Sequence, residues 1–112
     1  MGKVLIYTME GQKMCFLHGL MNALDLAESG AEVKIVLEGQ SVKLPKELTE
    51  EKNPMYQKAL DKGLVAGVCK GCSKVLGVME ENEKLGLPLL DYMFGHAGTK
   101  PYIEDGYQVL IF

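Results

Sequence analysis

The chain has no arginine; all 12 of its basic residues are lysine. An ammonium cannot reproduce the planar two-pronged grip of a guanidinium on phosphate or carboxylate. Anion cradles in which an arginine follows a nucleophilic cysteine, as in phosphatases and rhodaneses, therefore lose their support. Against 15 acids the formal charge is −3, and the lysines are scattered. With no basic stripe to replace phosphate counterions, nucleic acid is not expected as a partner. Long apolar runs are missing too. None approaches the roughly 18 residues that cross a bilayer, and Val4-Leu5-Ile6-Tyr7 is too short for a signal-peptide core, so a soluble cytoplasmic protein without a membrane partner is expected. Neither G-x-x-x-x-G-K-[ST] nor G-x-G-x-x-G occurs, and Thr8-Met9-Glu10-Gly11 only faintly suggests a flavin phosphate turn; no cofactor is expected. Cysteine is scarce and odd in number, with Cys15, Cys69 and Cys72 making up the 3. That is no secreted disulfide framework, which leaves reactive, metal-bound or buried thiols.

The 112 residues, 47% of them apolar, are enough for one domain spanning 1–112 with a real core. Lys3 to Tyr7 and Val33 to Leu37 read as strands buried on both faces. Between them, Leu17, Leu20, Met21, Leu24 and Ala27 follow helical spacing from Lys13 to Ser29, with His18, Asn22 and Asp25 opposite and Gly30 as the stop. So short a connection between strand, helix and strand favours a parallel crossover. Glu38 to Lys52 reads as a long polar connection with one short helical turn. Asn53 and Pro54 mark the start of a helix that Gly63 ends. Leu64 to Val68 is a third strand, running into Cys69-Lys70-Gly71-Cys72-Ser73 and a helix that holds Cys72 in its first turn. Glu80-Glu81-Asn82-Glu83 reads as a solvated face or turn. A fourth strand over Leu87 to Met93, a brief helix over Lys100 to Asp105 and a final strand over Tyr107 to Phe112 complete a flavodoxin-like three-layer α/β/α sandwich with a mainly parallel sheet of about five strands.

In such a sheet the loops leaving the C-terminal strand ends gather on one edge, where ligands bind. The rule places the Met9 to Cys15 turn, the loop after Leu37, the Cys69 loop and the Gly95-His96 loop together. Cys69 falls at a strand tip and a helix entrance, where backbone N–H groups, Lys70 and Lys74 favour a thiolate or a persulfide anion. Gly71 would let a substrate approach the backbone, although tight packing explains it equally. Cys69 also fits a small buried hydrophobe, and Cys72 fits a resolving thiol, a core residue or a second sulfur acceptor. Cys15 reads as a packed helix residue that borders the ligand edge. His96 suits proton transfer or lining of the site. Zinc is not expected, because C-x-x-C is only half of a structural site and Cys15, His18 and His96 lack the compact second pair. Surplus apolar residues, among them Met14, Met21, Met55, Met79, Met93, Leu89-Leu90 and Tyr92-Met93-Phe94, are explained either by an oligomer interface or by an irregular core.

Lys3-Val-Leu-Ile-Tyr7, Gly67-Val-Cys-Lys-Gly-Cys72 and Asp105-Gly-Tyr-Gln-Val-Leu-Ile-Phe112, in this order and spacing, resemble the DsrE-like family, which contains the DsrE, DsrF and TusD sulfur-relay proteins and small stand-alone YchN-like proteins. The resemblance spans nearly the whole chain. It implies a parallel-stranded fold, homotrimers or homohexamers, and an active cysteine after a central strand, which falls on Cys69. In relay members that cysteine takes sulfane sulfur as a persulfide and passes it to a partner's cysteine, so donor and acceptor proteins are implied partners. Catalysis is expected at Cys69 and Cys72, with Lys70, Gly71, Ser73, Cys15 and His96 as binding residues. The relay pattern does not require Cys72, which leaves a dithiol/disulfide redox protein open. A non-catalytic oligomeric binding module is the third reading.

Overall fold

A computed structural model describes residues 2–112. Five parallel strands, β1 (Lys3–Thr8), β2 (Glu32–Leu37), β3 (Val65–Cys69), β4 (Leu89–Leu90) and β5 (Tyr107–Ile111), form one sheet in the order β4-β3-β2-β1-β5. The central strands are apolar on both faces, as burial beneath helices on either side demands. Period-two alternation divides β1 cleanly. Ile6 and Thr8 lie against Gly19 of α1 (Lys13–Glu28), while the Tyr7 hydroxyl on the opposite face donates to the carbonyl of Ala97. The result is the three-layer α/β/α sandwich that the sequence pattern implies.

α1 buries Phe16, Gly19, Leu20, Ala23 and Leu24. The packed stripe is thus rotated by about one position from the expected one: Met21 is exposed and Phe16, its ring tilted against that of Tyr56, takes the core. α3 (Pro54–Asp61) begins as anticipated, with the Asn53 carboxamide oxygen accepting the N–H groups of Met55 and Tyr56, both at 3.1 Å.

The segment between β2 and α3 is more ordered than its polarity implies. A 3-10 turn over Gly39–Lys43 leads into α2 (Leu44–Glu50), and Val42, Leu44 and Leu48 are buried. Those three apolar side chains, spaced through a polar stretch, pull the connection onto the core. The expected single helix after Cys72 is two short ones, α4 (Lys70–Val75) and α5 (Met79–Lys84), broken where Gly77 takes a φ of 74°. The fourth strand shrinks to two residues, because Pro88 lacks an N–H for the ladder and Gly67 of β3 lies so close that a Cβ there would meet the Pro88 oxygen at 2.6 Å. α6 (Lys100–Glu104) packs on β5, with Tyr102 edge-on to Tyr107 at 5.4 Å between ring centroids.

Asn82 corrects the reading of the acidic run as purely solvated. It is 1% exposed, and its amide donates to the Val42 carbonyl at 3.0 Å and to the Ser73 hydroxyl at 3.1 Å. One side chain thereby ties α5 to the 3-10 turn and to α4, the two elements that flank the cysteines. Asn82→Ala leaves those buried acceptors without a donor and should lower stability by about 1–3 kcal/mol. Urea unfolding checks this; a midpoint equal to that of the wild type would contradict it.

Candidate functional site

The functional side chains come from the C-terminal ends of three strands, Glu38 after β2, Cys69 and Cys72 at and after the end of β3, and His96 after β4. Cys69 is both the last residue of β3 and the N-cap of α4, its backbone extended at φ −63° and ψ 121°. In that position its sulfur accepts the N–H of the residue three places on, which is Cys72, at 3.4 Å. The C-x-x-C spacing is therefore the spacing of a helix cap, and the cap brings the two cysteines together. A second N–H, from Ala97, also donates to the Cys69 sulfur at 3.4 Å. Cys69 is completely buried; Cys72 is partly exposed.

His96 follows β4 on a tight turn. Met93 and His96 exchange both backbone hydrogen bonds at 2.8 Å, and the two residues between them, Phe94 and Gly95, have φ of 51° and 85°. This is the doubly left-handed turn that joins antiparallel residues most compactly. The turn is pinned to α4 by the Gly71 N–H, which donates to the Gly95 carbonyl at 2.9 Å. The His96 ring lies flat against Gly71, where a Cβ would meet ring atoms at 2.5 to 2.7 Å. Gly71 is required for close approach, but by a side chain of the protein itself. Nδ1 of His96 sits 3.2 Å from the Cys69 sulfur and 3.5 Å from the Cys72 sulfur.

Glu38, one residue beyond β2, completes the group, and no sequence motif announces it. One ligand atom from each of Glu38, Cys69, Cys72 and His96 lies within 4.8 Å of every other. The backbone of Glu38 is held on both sides. Its N–H donates to the Thr8 carbonyl at 2.8 Å, and its carbonyl accepts the Ser41 hydroxyl at 2.7 Å. Ser41 is itself buried beside Thr8. The only available signal was an acid placed just after a buried strand, on the edge where ligands gather.

Burial dominates the electrostatics. It pushes the Cys72 thiol up to about 11; the neighbouring Cys69 sulfur adds to this, and the Gly39 N–H pointing at Cys72 opposes it. Burial likewise raises the Glu38 carboxyl above its usual range, and His96 pulls it partly back. For Cys72 the neutral thiol is favoured where no cation is supplied.

The remaining expected residues fall elsewhere. The Lys70 ammonium reaches Asp91 at 3.6 Å instead of the thiols. Ser73 is buried as the acceptor for Asn82, a structural role. Cys15 stays on α1 beside Gln12 and is absent from the cluster. A groove of about 350 Å³, lined by Met9, Gly39, Gln40, Cys72, Leu76 and His96, opens onto the site from the Cys72 side. Cys69 and Glu38 lie behind it. No helix among the described residues is long and apolar enough to cross a membrane.

The structure therefore joins a flavodoxin-like α/β/α fold to a buried cluster of two thiols, an imidazole and a carboxylate, a grouping suited to redox or sulfur chemistry. No family model and no solved structure significantly matches the chain. The uncharacterized protein MJ0733 of Methanocaldococcus jannaschii is 37% identical over 97 residues, which cover 84% of this chain and 77% of that protein. At that identity and coverage, the chain belongs to the same family as this archaeal protein.

Proposed function

We propose that the chain is a sulfur-relay protein of the DsrE-like kind, which holds sulfane sulfur as a persulfide on Cys69 and gives it to the thiol of a partner protein. The observation that carries this reading is the position of the Cys69 sulfur: it accepts two backbone N–H groups and lies 3.2 Å from His96 Nδ1. Donors aimed at a sulfur stabilise negative charge on it, and an imidazole at that distance is placed to take its proton.

In the loading step Cys69 passes its proton to His96 and attacks the outer sulfur of a donor persulfide, R–S–SH. The donor S–S bond breaks as the Cys69 S–S bond forms, and the departing R–S⁻ takes the proton from His96. The protein undergoes no net change in protonation apart from the persulfide it gains. Since Cys69 is buried, the donor arrives through the groove that Cys72 and His96 line. Cys72 then has a second use: it can attack the inner sulfur of the Cys69 persulfide, forming the Cys69–Cys72 disulfide and releasing hydrosulfide. The sharing of one imidazole nitrogen by both sulfurs favours this coupling, and with it a dithiol redox protein as the second reading.

Self-association accompanies the relay reading. Phe94 is 100% exposed at the tip of the His96 turn, in a left-handed conformation that bulky residues seldom adopt, and Ile103 and Ile111 are exposed as well. We place the contact between copies of the chain on this apolar surface, with trimers or hexamers as the product.

Intact-mass analysis of the reduced protein after exposure to a small-molecule persulfide should show the mass of one added sulfur on the wild type, none on Cys69→Ser, and a longer-lived gain on Cys72→Ser, which cannot release it as hydrosulfide. Sulfur retained by Cys69→Ser would overturn the assignment, and loss of two hydrogens in the wild type together with no sulfur gain on Cys72→Ser would select the dithiol reading. Light scattering should give a mass several times that of one chain, falling to a monomer in Phe94→Asp. A monomeric wild type would contradict the proposed contact.

A further inference from the structure

We propose that Glu38, Cys69, Cys72 and His96 bind one divalent cation of zinc's class, with two thiolates, one imidazole and one carboxylate as its four ligands.

The donor set selects the ion. Thiolate and imidazole suit a borderline-soft cation that accepts four ligands, whereas calcium and magnesium need six or more oxygens. The spacing fits as well. Ligands at tetrahedral corners about zinc, with zinc–sulfur and zinc–nitrogen bonds of ordinary length, lie about 3.5 Å apart along a sulfur–nitrogen edge. The two such edges here are 3.2 and 3.5 Å. All four ligand atoms lie within 4.8 Å of one another, so modest side-chain closure brings them onto a single ion.

A second observation points to the ion independently of the thiols. Oε2 of Glu38 is buried with no hydrogen-bond partner, and among the described residues Glu38 has no ion pair. A buried carboxylate oxygen with nothing to bond is costly and rare. The chain has no arginine to offer it, and the lysine of the cysteine loop, Lys70, is engaged by Asp91. The site gathers an acid, two thiols and a single imidazole, and one Nδ1 cannot satisfy both sulfurs at once. A dication supplies the missing positive charge.

The rest of the site is arranged as metal thiolates require. N–H groups of Cys72 and Ala97 point at the Cys69 sulfur, and that of Gly39 points at Cys72, so each sulfur keeps an outer partner while ligating. The four ligands come from three loops that the backbone already fixes, and the groove beside Cys72 and His96 gives the ion a way in. Sequence spacing hid the site because its second half is no second C-x-x-C pair. It consists of one residue after β2 and one after β4.

Binding displaces the two thiol protons to solvent and leaves the metal divalent, so no oxidant or reductant takes part. The metal-bound protein has both thiolates capped and does not load sulfur. Metal and sulfane sulfur therefore compete for the same cysteines.

The test is titration of the full, reduced chain with Co²⁺, followed by its absorption. One equivalent should produce a thiolate-to-cobalt charge-transfer band and the intense visible bands of a four-coordinate ion, and Zn²⁺ should abolish both. Cys15→Ser should behave as the wild type does. His96→Gln and Cys72→Ser should lose the four-coordinate spectrum, and Glu38→Gln should bind at least about tenfold more weakly, the loss that even outer partners cause. One equivalent of Zn²⁺ should also protect Cys69 and Cys72, but not Cys15, from alkylation. The far-ultraviolet circular dichroism of each variant shows that it is folded; should Cys72→Ser fail to fold, Glu38→Gln and the alkylation pattern carry the test. A folded wild type without the charge-transfer band, a band lost in Cys15→Ser, or unchanged affinity in Glu38→Gln would overturn the four-ligand site. A protein that loads sulfur yet binds no Co²⁺ would overturn this inference alone.

Discussion

The site depends on one weak hydrogen bond, the 3.4 Å contact in which the Cys72 N–H caps onto the sulfur of Cys69. It ends β3, starts α4 and sets the two sulfurs side by side in a single local step. A cap of serine or aspartate would satisfy the helix as well, and better in a bare energetic sense. Sulfur in that position makes the capping group a reactive one. The geometry of the cap requires no distant part of the chain, so the C-x-x-C pair is assembled as soon as the strand turns into the helix.

What the cap cannot supply is the surrounding shell, and the sheet provides it. Parallel strands send their outgoing loops to one edge, and here β2, β3 and β4 are neighbours. Glu38, Cys69 and His96 are thereby brought together from positions 27 or more residues apart. The strand order turns back at β1, but the crevice between β1 and β5 is closed: the N–H of Met9 donates to the Phe112 carbonyl at 2.6 Å. The opening lies instead on the other side of Met9, where the groove reaches Cys72 and His96. Small residues make the shell tight. Gly71 yields its side-chain space to the His96 ring, and the left-handed Gly39 lies where a Cβ would meet the Met9 oxygen at 2.8 Å.

Much of this was legible in the residues. The apolar runs and the Asn53-Pro54 cap gave the elements, because strand burial and helix capping are local signals. The same-edge rule linked Cys69 to His96 without any contact being visible. Other features were hidden for physical reasons. Glu38 and Asn82 look like ordinary surface residues, and only the tertiary fold buries them. The stripe of α1 shifted by one position because Phe16, one turn ahead of Leu20, fills more core than Met21 does. Lys70 pointed the wrong way because Asp91, on the turn beside it, gives it a carboxylate in solvent, which costs no burial of charge. Proximity in sequence predicted the charge near the thiols, but side-chain length and a competing partner decided it.

The central claim is that Cys69, Cys72 and His96 act as one unit. The ring-nitrogen chemical shifts of His96, measured by NMR at a fixed near-neutral pH in the reduced protein and in the Cys69→Ser and Cys72→Ser variants, test it most directly. The account predicts that both substitutions move the Nδ1 resonance of His96 and leave that of the exposed His18 where it was. A His96 resonance unmoved by either substitution, and coincident with that of His18, would contradict it.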